Sequence, residues 1–348
     1  MSDHIWYTHC PFPTAFGVAL RKGWIHDEMA RAGIEVRALG ASGDPDVQRF
    51  RREKTSPRSF RQGGNVAPLI ARSRGNDIRL IGLSRTTGSY PLLTLPGSGI
   101  ETADDLIGRR VAIPRRPYAS VDIWRAAALR TTDNLLATSG LTMNDIDPVE
   151  LLIKGEYFES GQTALSAAGF SPAGIADTVS SSHQTETLAL IRGEVDAIAS
   201  EGATASILGA TLGLVPVAPG VHPVDPVNNR SLMAVTVSGG LLDREPELVI
   251  SVLVQILAAA EWSIDEEAES KRLIALEAGI HEDLLERSFS PSVNRQLGVD
   301  LRPDKVRQLI SQHDFLLERG FLEQEIEFDE FIEAAPLQTA LAQRGVLI

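Results

Sequence analysis

Short apolar runs alternate with longer segments of helical periodicity along most of this chain. The short runs predict buried strands, and the longer segments predict helices with one apolar face. In the first part of the chain the pattern predicts strands at 3–9, 34–38 and 78–84, and helices at 13–31, closed by Gly33, and at 64–73. Strands that alternate with helices in this way are typical of a parallel sheet.

The middle of the chain repeats the pattern and predicts a second sheet. Its predicted strands and extended segments are 90–95, 110–114, 195–199 and 214–217, and its predicted helices are 102–108, 118–139, 161–169, 184–193 and 201–211. A proline-rich crossover at 219–229 then leads back to a strand at 233–237 and to mostly helical sequence over 244–320. We therefore predict an α/β protein with a first lobe of 1–93 plus 226–348, an inserted second lobe of 94–225, and a ligand-binding cleft between them.

The charge and composition of the chain argue against some classes of binding partner. The chain has 348 residues and a net charge of −13, which opposes binding to nucleic acid or to an anionic membrane surface. A local arginine cluster can still bind a small anion. We expect no stretch that is long and apolar enough to span a bilayer. The first residues lack a basic and apolar leader, and a single thiol suits a reducing compartment, so we expect a cytoplasmic location. We also expect the protein to be a monomer.

The one cysteine lies at a conspicuous place in the pattern. Cys10 follows the first predicted strand, and prolines at positions 11 and 13 force the chain to turn there. Turns between strand and helix are where α/β folds present reactive groups. A lone cysteine is also a common apolar filler, so position alone leaves both a functional and a buried thiol open.

Two segments resemble the second lobe of type II periplasmic-binding-protein folds. They are 103–113 (ADDLIGRRVAI) and 189–197 (ALIRGEVDA). A more specific resemblance, which extends over nearly the whole chain, is to the 2′-hydroxybiphenyl-2-sulfinate desulfinase family on that fold. It depends on 7–15 (YTHCPFPTA) and on 57–64 (PRSFRQGG) followed by Pro68 and Leu69.

The resemblance implies a site and an activity. Cys10 matches the nucleophile, and Arg61 with Gly63 and Gly64 matches the arginine–glycine anion site. The family's active-site histidine falls on Arg51, which we count among the predicted substrate-binding residues, so the role of that histidine is missing here or supplied elsewhere. The family releases sulfite from an aryl sulfinate without a metal or an organic cofactor, and we expect a small aromatic anion as the substrate.

Elementary chemistry supports these assignments and adds further residues. Arg61 can hold two sulfinate oxygens with its fork of donors, and backbone N–H groups of Gly63 and Gly64, before a predicted helix, can assist. Thr8 shares a strand face with Cys10, so its hydroxyl can contact the ligand. Two further predicted substrate-binding residues, His183 and Glu201, lie beside elements of the second lobe where loops face the cleft.

The sequence leaves two mechanisms and two classes of function open. The thiolate can attack sulfur and form a thiosulfonate-type intermediate, or the thiol can deliver a proton to the ipso carbon. The leading interpretation is a cysteine-dependent, cofactor-independent desulfinase that cleaves a carbon–sulfur bond by hydrolysis. The alternative is a non-catalytic solute-binding protein for a sulfonate-like anion.

Overall fold

The computed structural model contains two β-sheets, and the strands of the second sheet lie between strands of the first in the sequence. It describes residues 4–10, 12–39, 58–86, 88, 90–119, 121–153, 183–223 and 227–345. Strands of the first sheet come from both ends of this sequence, and strands of the second come from the middle. The helix predicted at 161–169 lies outside the described residues.

The first sheet has six strands in the order β11-β4-β10-β3-β1-β2. Its strands are β1 (His4–His9), β2 (Glu35–Ala38), β3 (Ser59–Gly64), β4 (Ile78–Arg85), β10 (Leu232–Ser238) and β11 (Val299–Asp300). Strand β1 runs parallel to β2 and β3, whereas β10 is antiparallel to both β3 and β4. Successive residues of β10 enter two different apolar clusters, as expected for a sheet covered by helices on both faces.

The second sheet has five strands in the order β7-β6-β8-β5-β9. They are β5 (Leu92–Thr94), β6 (Arg110–Arg115), β7 (Asp147–Leu152), β8 (Ala197–Ala199) and β9 (Val215–Pro216). All of them lie between β4 and β10 in the sequence, so the second unit is inserted into the first. Strand β5 spans the predicted lobe boundary at 93/94.

Thirteen α-helices lie in the described part of the chain and cover the two sheets. They are α1 (Ala15–Arg21), α2 (Trp24–Arg31), α3 (Val66–Ser73), α4 (Ile123–Ala137), α5 (Gln184–Ile191), α6 (Gly202–Leu212), α7 (Gly239–Arg244), α8 (Pro246–Asp265), α9 (Glu267–Ala278), α10 (Leu285–Ser288), α11 (Pro303–Glu318), α12 (Phe328–Phe331) and α13 (Ala335–Gln343). The short helix predicted at 102–108 is a single 3₁₀ turn, in which the Asp105 carboxylate accepts from the Thr102 backbone N–H.

Two predicted helices have different bounds in the structure. The one predicted at 13–31 is broken into α1 and α2, because Gly23 adopts a left-handed conformation with φ of +77°. The helix predicted at 118–139 begins later, after Asp122, whose carboxylate accepts from the backbone N–H of Arg125.

The arginine-rich connection before α3 contains a strand that the sequence pattern did not predict. Strand β3 ends with Gly63 and Gly64, so the helix predicted from 64 begins only at Val66. The pattern hid the strand because Arg-Gln-Gly-Gly lacks the β-branched and apolar residues that indicate one. Pairing with β1 and β10 on both sides stabilises it instead. Strand β7, at an edge of the second sheet, was also missed: Pro148 and the charged Asp147 and Glu150 interrupt its apolar positions, and most of its residues are exposed.

The expectation that no segment is long and apolar enough to span a bilayer is wrong as stated. By length and composition α8 would qualify. Slightly more than half of its most apolar window, 56%, is buried inside the protein, where Val249, Val252 and Ile256 are part of the largest apolar cluster. Helix α8 is therefore the core helix of the first lobe.

Candidate active site

Cys10 is the first residue after β1, at the turn where the sequence pattern placed it. Its backbone N–H donates to the Gln62 carbonyl at 3.1 Å, which extends the pairing of β1 with β3 by one residue. The chain then turns, and α1 begins at Ala15 behind a Thr14 cap whose hydroxyl accepts from Gly17. The thiol is free and half-buried.

Strand β3 brings Arg61 and Gly63 to the same place. Thr8 pairs with Arg61 in the register of β1 and β3, and the alternation of side chains puts Arg61 and Gly63 on one face. A Cβ atom added to Gly63 would lie 2.6 Å from the Cys10 Sγ and 2.8 Å from an Arg61 Nη2 nitrogen. The thiol and the guanidinium thus both occupy the space that a side chain at position 63 would need, so only glycine leaves room for them.

Arg61 is a cation with unused donors. The side chain is half-buried, and its Nη1 atom has neither solvent contact nor a hydrogen-bond partner among the described residues. Burial lowers the pKa of Arg61, the nearby Cys10 opposes that effect, and Arg230 adds to it. A guanidinium in such a position is suited to an oxyanion, which would satisfy the free donors and the charge together.

Gly64 has a different neighbour from Gly63. A Cβ at Gly64 would lie 2.3 Å from the Asn229 Oδ1. The same oxygen accepts from the Val66 backbone N–H at 3.1 Å, and the Asn229 carbonyl accepts from Asn65 at 2.9 Å. Asn229 therefore occupies the start of α3, where we expected backbone N–H groups to face the ligand.

Arg230 joins the turn after Cys10 to the second unit, and sequence reasoning missed it. Its guanidinium lies 4.1 Å from the ring centroid of Phe12 and 5.2 Å from that of Trp124. Its Nη1 donates to the Glu201 carboxylate in a buried ion pair. No motif marks Arg230 in the sequence; the following strand, β10, positions it.

Glu201, which we predicted as a substrate-binding residue, is buried as the partner of Arg230. It precedes α6, and its side chain is 5% exposed. Burial raises the pKa of Glu201, and the Arg230 charge opposes that rise.

Glu201 also lines a pocket in the second unit. Its walls come from α4, the start of α5, the ends of β6 and β8, and Tyr90, and the lining residues include Trp124, His183 and Glu186. The His183 ring packs edge-on against Trp124, with centroids 4.5 Å apart. Burial lowers the pKa of His183 to about 3, assisted by Arg116 and Arg230, so the imidazole is neutral at physiological pH.

Glu186 lies in the first turn of α5, and sequence reasoning did not single it out. Its carboxylate is buried, and burial raises its pKa to about 7. One oxygen, Oε1, lies 3.9 Å from the His183 Nδ1 and 3.8 Å from an Arg116 nitrogen, and both distances exceed hydrogen-bond reach. Only its burial in the folded protein, beside His183 and Arg116, reveals this residue.

Two predicted substrate-binding residues remain, Thr8 and Arg51, and the structure describes only the first. Thr8 is half-buried and lies opposite Arg61 in the strand register. Arg51 lies outside the described residues. Within the described ranges, no three His, Cys, Asp or Glu side chains are grouped so as to hold a metal ion.

Comparisons with known proteins find similarity in structure and none in sequence. No family model and no curated protein matches the chain. The crystal structure of the desulfurization enzyme DSZB superposes with a TM-score of 0.77 at 24% identity, covering 98% of this chain and 99% of that one. A Cys-to-Ser mutant of DSZB in complex with biphenyl-2-sulfinic acid matches at 0.76 and 24%, with 99% and 100% covered.

The periplasmic aliphatic sulphonate binding protein SsuA from Escherichia coli is also similar. Its TM-score is 0.60 at 16% identity, with 95% of this chain and 91% of that chain covered. The chain therefore has the two-lobed α/β fold that the desulfurization enzyme DSZB shares with the sulphonate binding protein SsuA. At these identities the likeness concerns the fold.

Proposed function

We propose that this protein is a cysteine-dependent desulfinase that hydrolyses the carbon–sulfur bond of an aromatic sulfinate and releases sulfite. One observation carries the proposal: the Cys10 thiol and the Arg61 guanidinium both lie in the space that a side chain at Gly63 would fill. A nucleophile and an anion-binding cation at one glycine are what the reaction needs. The shared fold with DSZB supports the same assignment.

Arg61 holds the sulfinate so that its sulfur faces Cys10. Two parallel N–H donors of a guanidinium match two oxygens of a sulfinate, which fixes the orientation of the anion as well as its charge. Arg230 also lies beside the turn, but its ion pair with Glu201 balances its charge. Arg61 therefore supplies the positive charge that attracts the anion, although the chain as a whole is negative.

Two routes complete the reaction, and both balance as sulfinate plus water giving arene plus hydrogen sulfite. In the first, the Cys10 thiolate forms a bond to sulfur and the carbon–sulfur bond breaks, its electron pair passing to the ipso carbon, which takes up a proton. Water then cleaves the sulfur–sulfur bond and restores the cysteine. In the second, the thiol protonates the ipso carbon, and water adds to the departing sulfur dioxide unit.

Sulfite release tests the proposal directly. We expect the wild-type protein to release sulfite from 2′-hydroxybiphenyl-2-sulfinate, and Cys10→Ser to bind this ligand and release none. Sulfite is measured with a thiol-independent colorimetric assay, and binding is measured by calorimetry. Equal release by both proteins would remove Cys10 from the reaction, and absence of release by the wild type would refute the desulfinase proposal.

Arg61→Ala tests the anion site separately from the chemistry. We expect it to weaken sulfinate binding about tenfold or more, because a charge-assisted hydrogen bond is worth about 1.5–3 kcal/mol. Arg79→Ala is the matched control, because Arg79 lies near the start of β4 and pairs with Asp77. Calorimetric affinities that are the same for Arg61→Ala and Arg79→Ala would contradict the role of Arg61.

The second candidate function is binding of a sulfonate-like anion without turnover. It is favoured by the similarity to SsuA and by the absence of the desulfinase histidine at position 51, where the sequence has arginine. The two candidate functions differ in the role of the Cys10 thiol. A binding protein would hold sulfonates and sulfinates tightly, release no sulfite from either, and lose little affinity when Cys10 is replaced by serine.

A further inference from the structure

The buried ion pair between Arg230 and Glu201 lies at the same end of β3 as the Cys10 turn. Strand β10 runs antiparallel to β3 and begins beside its last residue, Gly64, so the residues before β10 lie beyond the end of β3. There the Arg230 guanidinium lies 4.1 Å from the ring centroid of Phe12, whose backbone N–H donates to the Cys10 carbonyl at 2.8 Å. The ion pair therefore borders the proposed anion site.

Electrostatic effects connect this pair to Arg61 and to the thiol. Burial lowers the pKa of Arg61, and the nearby Arg230 charge adds to that effect. Burial raises the pKa of the Tyr90 hydroxyl; Glu201 and Cys10 add to the rise, and Arg230 opposes it. One buried hydroxyl thus lies within electrostatic range of the carboxylate, the guanidinium and the thiol.

The two arginines differ in whether a carboxylate neutralises them. Glu201 pairs with Arg230, and their side chains are only 5% and 8% exposed. Within the described residues no carboxylate pairs with Arg61, whose Nη1 is buried without a hydrogen-bond partner there. The site therefore has one uncompensated positive charge, on Arg61, and a second positive charge that Glu201 cancels.

The number of uncompensated charges decides which anions such a site binds. The free energy of removing an ion from water rises with the square of its charge, whereas its attraction to a fixed cation rises only in proportion to that charge. One cation thus favours a singly charged anion, and a second cation would favour a doubly charged one. An aryl sulfinate has one negative charge, and sulfite has two at alkaline pH.

We propose that Glu201 is a selectivity-determining residue, which neutralises Arg230 so that the anion site binds singly charged oxyanions and rejects doubly charged ones. Its effect passes through Arg230. The selection is a property of the anion site and applies to an enzyme and to a binding protein. Its consequence for the product rests on the proposed function: a desulfinase with this site would retain sulfite weakly at alkaline pH.

Two ligands of nearly equal shape test the selection at alkaline pH: benzenesulfonate, with one negative charge, and phenylphosphonate, with two. Both are titrated by calorimetry against the wild type, Glu201→Gln and Glu201→Asp. We expect the wild type to bind benzenesulfonate at least about tenfold more tightly, and Glu201→Gln to shift the ratio of the two dissociation constants towards phenylphosphonate by about tenfold or more. Glu201→Asp keeps the charge and should keep the wild-type ratio.

The double variant Glu201→Gln with Arg230→Met is the matched control, because it removes both charges of the pair. We expect its ratio of dissociation constants to equal that of the wild type within about threefold. A ratio for Glu201→Gln that equals the wild-type ratio would overturn the proposal. A double variant that shifts as far as Glu201→Gln, or a wild type that binds neither ligand, would overturn it as well.

A second measurement covers the instability of Glu201→Gln, which leaves a buried arginine without its counter-charge. If this variant is unfolded in buffer, circular dichroism measures the concentration of each anion that restores the fold, since a ligand that binds only the folded form stabilises it. We expect phenylphosphonate to act at about tenfold lower concentration than benzenesulfonate, after correction for the effect of each anion on the double variant. Equal concentrations, or no refolding by phenylphosphonate, would overturn the proposal.

Sulfite release separates this inference from the proposed function. A shifted ratio of dissociation constants, in a protein that releases no sulfite from 2′-hydroxybiphenyl-2-sulfinate, would support the role of Glu201 while the desulfinase proposal fails. Release of sulfite together with an unchanged ratio would support the desulfinase and overturn the role of Glu201.

Discussion

Replacement of Glu186 by glutamine should stabilise this protein at alkaline pH and leave its stability unchanged in acid. Burial raises the pKa of Glu186 from 4.5 to about 7. A carboxyl group with a raised folded-state pKa is protonated in the native protein while the unfolded chain is already ionised. Its contribution to stability is therefore complete below pH 4.5 and is lost as pH rises towards and through 7. Glutamine keeps the shape and cannot ionise.

The magnitude follows from the two pKa values. Since a tenfold change in a proton equilibrium is worth about 1.4 kcal/mol, the rise from 4.5 to about 7 corresponds to roughly 3 kcal/mol. The pH dependence of stability that comes from His183 has the opposite sign. Burial lowers the pKa of His183 from 6.5 to about 3, so its contribution to stability is complete above pH 6.5 and is lost as pH falls to 3. Wild type and Glu186→Gln both contain His183, so its contribution cancels in their difference.

Urea unfolding at pH 4 and pH 8 measures that difference, because urea leaves charge interactions unscreened. We expect Glu186→Gln to equal the wild type within about 0.5 kcal/mol at pH 4 and to exceed it by roughly 3 kcal/mol at pH 8. The matched control is Glu150→Gln: hydrogen bonding by Arg115 lowers the pKa of this exposed glutamate, so its replacement should have a small effect of opposite sign. A difference for Glu186→Gln that is the same at both pH values would refute the reasoning.

Two further predictions concern close contacts in the site. Gly63→Ala should lower the rate of sulfite release at least tenfold, because its methyl group would lie 2.6 Å from the Cys10 Sγ; Gly298→Ala, where nothing lies within 4 Å, is the control, and equal rates for the two variants would contradict the prediction. Glu201→Gln should lower the free energy of unfolding by about 3–5 kcal/mol, because it leaves Arg230 buried without its counter-charge. In a double-mutant cycle Arg230→Met should recover part of that loss in urea unfolding, and strict additivity would refute the pairing.

The sequence predicted the architecture because the apolar pattern is local information. Period and length identified β1, β4, β6 and β10, and their order indicated an inserted second unit. The pattern failed at β3, whose pairing with β1 and β10 comes from residues far away in sequence. The cytoplasmic location and the precise lobe boundaries stay predictions.

The site was predictable in part, for a related reason. Cys10 and Arg61 were found through a strand-end thiol and a basic motif that resembles a known family. Arg230 and Glu186 were not, since an isolated arginine before a strand and a glutamate in a helix are ordinary in sequence. Their surroundings make them unusual: Arg230 forms an ion pair beside two aromatic rings, and Glu186 has a buried carboxylate without a hydrogen-bond partner among the described residues.

In the proposed site the anion-binding arginine and the thiol come from different strands. Strand β3 supplies Arg61 and Gly63, and these would hold an anion whatever residue followed β1. The end of β1 adds one atom, the Cys10 Sγ, against the same glycine. Serine at position 10 should therefore leave a binding protein, with affinity retained and chemistry lost. Restoring the thiol restores a nucleophile beside an anion that is already held, which is where proximity contributes most to a rate.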